Sequence, residues 1–281
     1  MPISASHLAA AYSLIAVGVW GTSDFLGGLG ARRVNAFLFT SAVHLSALVL
    51  AGSLALASGL TFPGGASLRW SLAAGTVGGF ALALFYRALA AGKMGLVAPV
   101  AAVLGAAIPT LVTAFVEGFP GWRHGLGFVL AVVGVWLISR TETAEGRPEG
   151  LGLAVLSGCG FAGFYLCIHR TGDAPALWIA VCSRCASFVV TAAFVLFGRH
   201  LHAVPRTVAG IALVAGILDI TGSTVFVRAA QIGRLDAAVV LSSLYPAVTV
   251  LLARLFLHER FSRARTVGML AALVAVPMIA G

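Results

Sequence analysis

The chain alternates long apolar runs with short polar or Pro/Gly breaks. The runs fall at 7–29, 35–58, 70–91, 95–116, 122–139, 151–170, 175–197, 207–229, 235–257 and 264–280. Each is close to the roughly 20 apolar residues that a helix needs to cross about 30 Å of hydrocarbon. They are continuous rather than alternating, which favours membrane helices over the strands of a small β-barrel. The breaks carry turn formers: Arg32-Arg33-Val34-Asn35, Thr61-Phe62-Pro63-Gly64-Gly65, Gly92-Lys93-Met94-Gly95 and Gly118-Phe119-Pro120-Gly121. The most polar segment, Arg140 to Glu149, lies near the middle of the chain. It reads as a linker at 141–149 between two halves, 1–140 and 150–281.

The halves repeat at an offset of 141 residues. Phe85-Tyr86-Arg87-Ala88 falls on Phe226-Val227-Arg228-Ala229, and Gly92-Lys93 on Gly233-Arg234. Phe115 falls on Phe256, and Leu126-Gly127 on Val267-Gly268. Five spans per half is an odd number, so the second half enters the membrane with opposite polarity. The expected fold class is all-α integral membrane, with ten transmembrane helices as two five-helix inverted-topology repeats around a central cavity. That is the build of secondary transporters, whose substrate site lies near mid-bilayer where the repeats meet.

Composition agrees on the solvent. Of 281 residues, 60% are hydrophobic and 10% charged, against about 25% charged in soluble domains. A soluble enzyme and a disordered chain are both excluded. The net charge of +9 comes from basic residues scattered at span ends, with no long basic patch, so nucleic acid is not an expected partner. The expected partners are the lipid bilayer and a small molecule, and the chain is expected to act as a monomer. The segment before the first run has no Lys or Arg, so it is not a cleavable signal.

Charge bias sets an orientation. Odd-numbered connections hold Arg32, Arg33, Lys93, Arg140, Arg147, Arg199, Arg206, Arg260, Arg263 and Arg265. Even-numbered ones hold only Arg69, Arg123, Arg170 and Arg234. This places the odd connections in the cytoplasm and both termini outside.

Two stretches of the second half resemble the EamA-type transporters of the drug/metabolite superfamily. One runs from Arg228 through Gly233 and Asp236 to Tyr245-Pro246, the other from Leu255 through Glu259 and Ser262 to Gly268. A weaker copy runs from Arg87 through Gly92, Pro99 and Pro109 to Glu117, and Trp20-Gly21 in the first span also fits. The copy is degraded: Gly105 stands at the proline position, and Glu117 is one residue out of register with Glu259. The resemblance implies a basket of helices around a central cavity, multi-pass placement in the cytoplasmic (inner) membrane, and both termini inside, against the charge bias. It also implies export of small metabolites, amino acids foremost. The small multidrug members use a glutamate in mid first helix, and this sequence has none there, which disfavours a cationic-drug antiporter.

Ionisable groups inside spans cost about 2.5–3.5 kcal/mol on insertion scales and are functional candidates by default. Arg184 lies 13 residues before the end of its span and Asp219 lies 12 after the start of the next. At 1.5 Å per residue their depths agree to about 2 Å, so a buried charge pair is expected. It is either a structural salt bridge or part of transport. Asp24, five residues from its span end, is either wet or a proton site. His44 is a second possible proton site, or donates one hydrogen bond to a neighbouring carbonyl. Pro99 and Pro109 in the fourth span and Pro246 in the ninth are expected to break their helices and free backbone groups for substrate. Ser242, Ser243 and Tyr245 sit just before the last break. Trp20, Tyr86 and Tyr165 lie on helices that the resemblance places around the cavity.

No cofactor is expected. Gly27-Gly28-Leu29-Gly30 follows no strand, and no G-x-x-x-x-G-K-[ST] drives the protein with ATP. Cys182-x-x-Cys185 has no second pair to complete a metal site and reads as packing, as do the small-residue stretches Gly75–Gly79 and Gly158–Gly163. An aspartyl or serine intramembrane protease is disfavoured, because Asp24 and Asp219 differ in depth and no serine has a histidine at its level. A channel lacks its filter or charge ring. Exporters of drugs, sugar phosphates or nucleotide sugars, and a lipid flippase, stay open as alternatives.

Overall fold

The computed structural model describes residues 5–117, 122–139, 149–233, 235–259 and 263–280. Among these residues every regular element is a helix: α1 (Ala5–Ala31), α2 (Ala36–Ala57), α3 (Gly65–Ala91), α4 (Met94–Glu117), α5 (Trp122–Ser139), α6 (Leu151–His169), α7 (Ala176–Phe197), α8 (Arg206–Ile232), α9 (Leu235–Ser242), α10 (Tyr245–Phe256) and α11 (Arg263–Ala280). The expected linker at 141–149 lies outside the described residues except for Glu149. So do the break at 118–121, Arg140, Arg147, Arg234 and Arg260, and the side chain of Glu117.

Six helices, α1, α2, α3, α6, α7 and α8, are long and apolar enough to cross a membrane. They carry large apolar side chains outward, including Ile15, Val49, Leu56, Leu156, Val189 and Leu196. Such a surface belongs against lipid rather than water. A bilayer core offers the backbone no partner, so hydroxyls turn inward on their own helices. Thr22, Thr40, Ser157, Thr191 and Thr221 each donate to the carbonyl four residues earlier, at 2.6–2.8 Å. Asn35 caps α2, its side-chain oxygen accepting from the amides of Phe37 (2.9 Å) and Leu38 (3.3 Å).

The helices interleave across the chain midpoint. α1 lies along α8 and α10, α3 along α6 and α7, α2 along α7 and α8, and α5 along α11. Close approach depends on the small-residue stretches. A Cβ at Gly75 would stand 1.9 Å from the Ser183 carbonyl oxygen, and one at Gly79 2.6 Å from Ser187 Cα. On α6, a Cβ at Gly158 would meet Leu104 and Ala101 of α4, and one at Gly160 would meet Ala81 of α3. α6 and α7 thus converge on α3, and α4 on α6, at distances where only glycine fits.

The prolines act differently in the two places. α4 runs unbroken through Pro99 and Pro109, against the expectation that they interrupt it. Each removes one amide donor, and a membrane helix supported by its neighbours absorbs that loss. The break before Tyr245-Pro246 is real. α9 ends at Ser242 and α10 starts at Tyr245, with the turn tightened by Leu244 N–H donating to the Leu241 carbonyl at 3.2 Å.

Candidate functional site

Halfway along the helices lies a small cavity of about 50 Å³, lined by Trp20 and Asp24 (α1), Gly78 and Leu82 (α3), Phe161, Phe164 and Tyr165 (α6), Arg184 (α7), Asp219 (α8) and Tyr245 (α10). Six helices therefore contribute. One wall is aromatic because Phe161, Phe164 and Tyr165 recur at i, i+3 and i+4 and share one face of α6. Phe226 fills the space behind it, 5.1 Å from the Tyr165 ring and 5.4 Å from that of Trp20.

The opposite side is polar. Arg184 and Asp219 form a two-point ion pair, Nε to Oδ2 at 2.9 Å and Nη2 to Oδ1 at 3.2 Å, with both side chains buried. Nη2 also donates to the Ser223 hydroxyl. Ser223 lies one helical turn beyond Asp219, so α8 presents carboxylate and hydroxyl together to the guanidinium. Asp219 also anchors α1 through its backbone, its carbonyl accepting from Trp20 Nε1 at 3.3 Å.

Asp24 stands apart from this pair. It is 7% exposed, so the expectation of a wet carboxylate near a helix end is corrected. α1 extends to Ala31, and packing against α8 and α10 buries its last turns. Among the described residues its carboxyl has no hydrogen bond and no salt bridge, and it faces the cavity. The Tyr245 hydroxyl, also in the lining, is buried without a partner.

The remaining sequence candidates lie elsewhere. Tyr86 is fully buried to one side of the cavity, its hydroxyl 3.4 Å from that of Ser23, which donates to the Ala215 carbonyl at 2.9 Å. Pro99, Ser242, Ser243 and Pro246 are buried but do not line the cavity. Ser243 donates back to the Val239 carbonyl at 2.7 Å, while the Ser242 hydroxyl has no partner among the described residues. His44 is fully buried on α2, and both ring nitrogens lack a partner among the described residues. The expected bond to a neighbouring carbonyl is therefore absent there.

Reading the sequence missed Leu82, Gly78, Phe161 and Phe164 in the lining, and Ser223 on the guanidinium. The i, i+3, i+4 aromatic spacing on α6 and the i, i+4 spacing of Asp219 and Ser223 were the available signals. It named Glu259 within the motif but not its contact: the carboxylate accepts from the amides of Met94 and Gly95, both at 3.1 Å, with Arg32 Nη2 4.0 Å away.

The class this defines is a multi-pass helical membrane protein with a polar, aromatic-walled cavity at its centre. Residues 149–281 are similar to the EamA-like transporter family, which suggests a membrane transporter of small molecules. A solved structure titled only "Crystal structure of protein" superposes with a TM-score of 0.72, covering 96% of this chain and 97% of that one at 17% identity. It establishes a shared fold over nearly the whole chain. No curated protein matches the sequence.

Proposed function

We propose that this protein is a secondary transporter that exports small polar metabolites, most of all amino acids, across the cytoplasmic membrane by alternating access. α9 and α10 together make one broken span, giving ten spans in two inverted halves. The packing supports this: α1 of the first half lies on α8, third in the second half, while α3, third in the first half, lies on α6, first in the second. Exchange of roles between halves is what a pseudo-two-fold axis in the membrane plane produces.

The observation that carries the substrate reading is the lone carboxyl of Asp24 beside a guanidinium with donors to spare. A buried carboxylate without a counter-ion is costly, and a substrate ammonium supplies the missing charge. Arginine has five N–H donors. Asp219 and Ser223 occupy Nε and Nη2, which leaves Nη1 for a substrate carboxylate without breaking the ion pair. The aromatic wall takes the apolar side chain. A zwitterion thus fits with both charges met, whereas a sugar phosphate or nucleotide sugar would bring its anion beside two carboxylates. In this reading Asp24 serves the substrate, and His44 lies outside the lining.

Counterflow in liposomes tests it. Vesicles are loaded with one unlabelled compound and uptake of a labelled trace is followed across the amino acids, a sugar phosphate, a nucleotide sugar and a cationic dye. Uptake of apolar amino acids is expected. Silence for all amino acids with signal for the phosphate, the sugar or the dye would overturn the substrate, and silence for every soluble compound would favour a lipid flippase.

A further inference from the structure

We infer that Glu259 is the latch that holds one face of this carrier closed, and that its release from the first turn of α4 opens the cavity to that face. The inference rests on the transport reading above and adds the moving part. Glu259 lies in the connection between α10 and α11, yet its carboxylate spans both free amides at the start of α4, Met94 N and Gly95 N, each at 3.1 Å. α4 begins after Lys93, whose carbonyl takes the amides of Leu96 and Val97. Glu259 therefore caps a helix remote in sequence, where the helix dipole favours negative charge. Arg32, in the connection between α1 and α2, adds an ion pair at 4.0 Å. The glutamate side chain is 8% exposed while that of Arg32 is 35% exposed, so the latch is sheltered and its outer partner is wet. Three connections on one face thus meet at a single carboxylate.

Met94 links this latch to the barrier beneath it. Its amide donates to Glu259, and its side chain seats on α1, where a Cβ at Gly28 would stand 2.5 Å from the Met94 methyl carbon. One residue nearer the cavity, a Cβ at Gly27 would stand 2.2 Å from the Tyr86 ring. Met94, Tyr86, Leu89 and Phe85 are all fully buried. From Asp24 in the cavity to Arg32 at the surface is eight residues of α1, about 12 Å. That interval is filled by glycines against large side chains, Gly27 on Tyr86, Gly28 on Met94 and Leu89, and Gly30 on Phe39. α4 cannot shift its first turn without losing two charge-assisted hydrogen bonds, and Met94 cannot leave Gly28 while that turn is held. While the Met94 side chain is in place, opening toward this face therefore requires Glu259 to let go. A closed face is also what alternating access demands whenever the other face is open.

The test reads accessibility, not transport. The native cysteines are replaced, and a single cysteine is placed at Leu82 in the cavity lining. A membrane-impermeant thiol reagent is applied from each side in intact cells and in inside-out vesicles. A reporter cysteine at His200 marks the Glu259 face. The connection that holds it follows α7, and Phe194 near the end of α7 stacks 5.0 Å from Phe37 at the start of α2, beside Arg32. Glu259→Gln is expected to raise labelling of the Leu82 cysteine severalfold from the reporter's face and not from the other. Arg32→Gln leaves both amide bonds in place and guards against a folding defect. It is expected to shift labelling in the same direction by less, and Met94→Ala is expected to open the face with the latch intact. Unchanged labelling in folded Glu259→Gln and Arg32→Gln protein, or an equal rise from both faces, would overturn the latch. Because no substrate is needed, silent counterflow with one-sided labelling would sink the amino-acid reading alone. Working counterflow with unchanged labelling would sink the latch alone.

Discussion

Arg184 and Asp219 illustrate what a charge costs inside a bilayer and how the cost is met. Each alone would be an unpaired ion in hydrocarbon, and together they form a two-point pair with a hydroxyl on the guanidinium. Breaking a buried pair from one side leaves the other charge stranded, typically about 3–5 kcal/mol. Asp219→Asn and Arg184→Gln are each expected to lower the melting temperature in detergent, and the double variant to recover part of the loss. Equal, additive losses would mean that the pair contributes nothing as a pair. Asp24 should behave in the opposite way. Its carboxyl holds no partner among the described residues, so Asp24→Asn is expected to keep the melting temperature of the parent and to abolish amino-acid counterflow. Parental uptake by that variant would remove Asp24 from the site. The depth arithmetic that put Arg184 and Asp219 at one level needed only helix rise. Asp24 was harder to read, because five residues from a span end looks exposed until the neighbours that bury it are known.

Between elements, contacts are set by what is missing from the side chain. Gly75 lies against the Ser183 backbone so closely that any Cβ would overlap it. Gly75→Ala is expected to push α3 from α7 and destabilise by about 1–3 kcal/mol, the usual cost of overpacking. Gly18→Ala, with nothing within 4 Å of the added atom, should be slightly stabilising. Comparing the two melting temperatures separates packing from helix propensity, since alanine is the better helix former at both positions. The composition of Gly75–Gly79 announced close packing, but not that α6 and α7 were the partners. The prolines show the same boundary. Pro99, Pro109 and Pro246 look alike in sequence, yet α4 continues and the span containing Pro246 breaks. The observed difference is position: Pro99 and Pro109 lie inside α4, while Pro246 sits in the first turn of α10, where the amide would be unpaired anyway.

At the scale of the whole molecule, the expectation is a carrier that works on a gradient alone. No phosphate-binding loop is present in the sequence, so counterflow is expected to proceed in vesicles free of ATP and to be unchanged when ATP is added. Stimulation by ATP would contradict a secondary mechanism. The cavity draws on helices from both sides of the chain midpoint, and the Glu259 contact joins the same two sides at one face. In the transport cycle proposed above, a molecule so interleaved changes access to its centre by moving one set of helices against the other.

What the sequence determined by itself is whatever follows from solvent and period. Runs of about 20 apolar residues predict membrane helices, and six of the described helices are long and apolar enough to cross a membrane. Charged residues inside those runs had to be paired or functional, which singled out Arg184, Asp219 and Asp24 before any fold was known. Tertiary structure alone decided which faces meet. It set Tyr86 beside Ser23 rather than in the cavity, brought Phe161 and Phe164 into the lining, left Asp24 without a partner, and carried Glu259 to the start of a helix 165 residues away in sequence. In hydrocarbon the apolar surface of one helix is as well solvated by lipid as by another helix. The apolar pattern therefore does not choose partners, and the choice falls to close packing at glycines and a few polar contacts that appear only once the chain is folded.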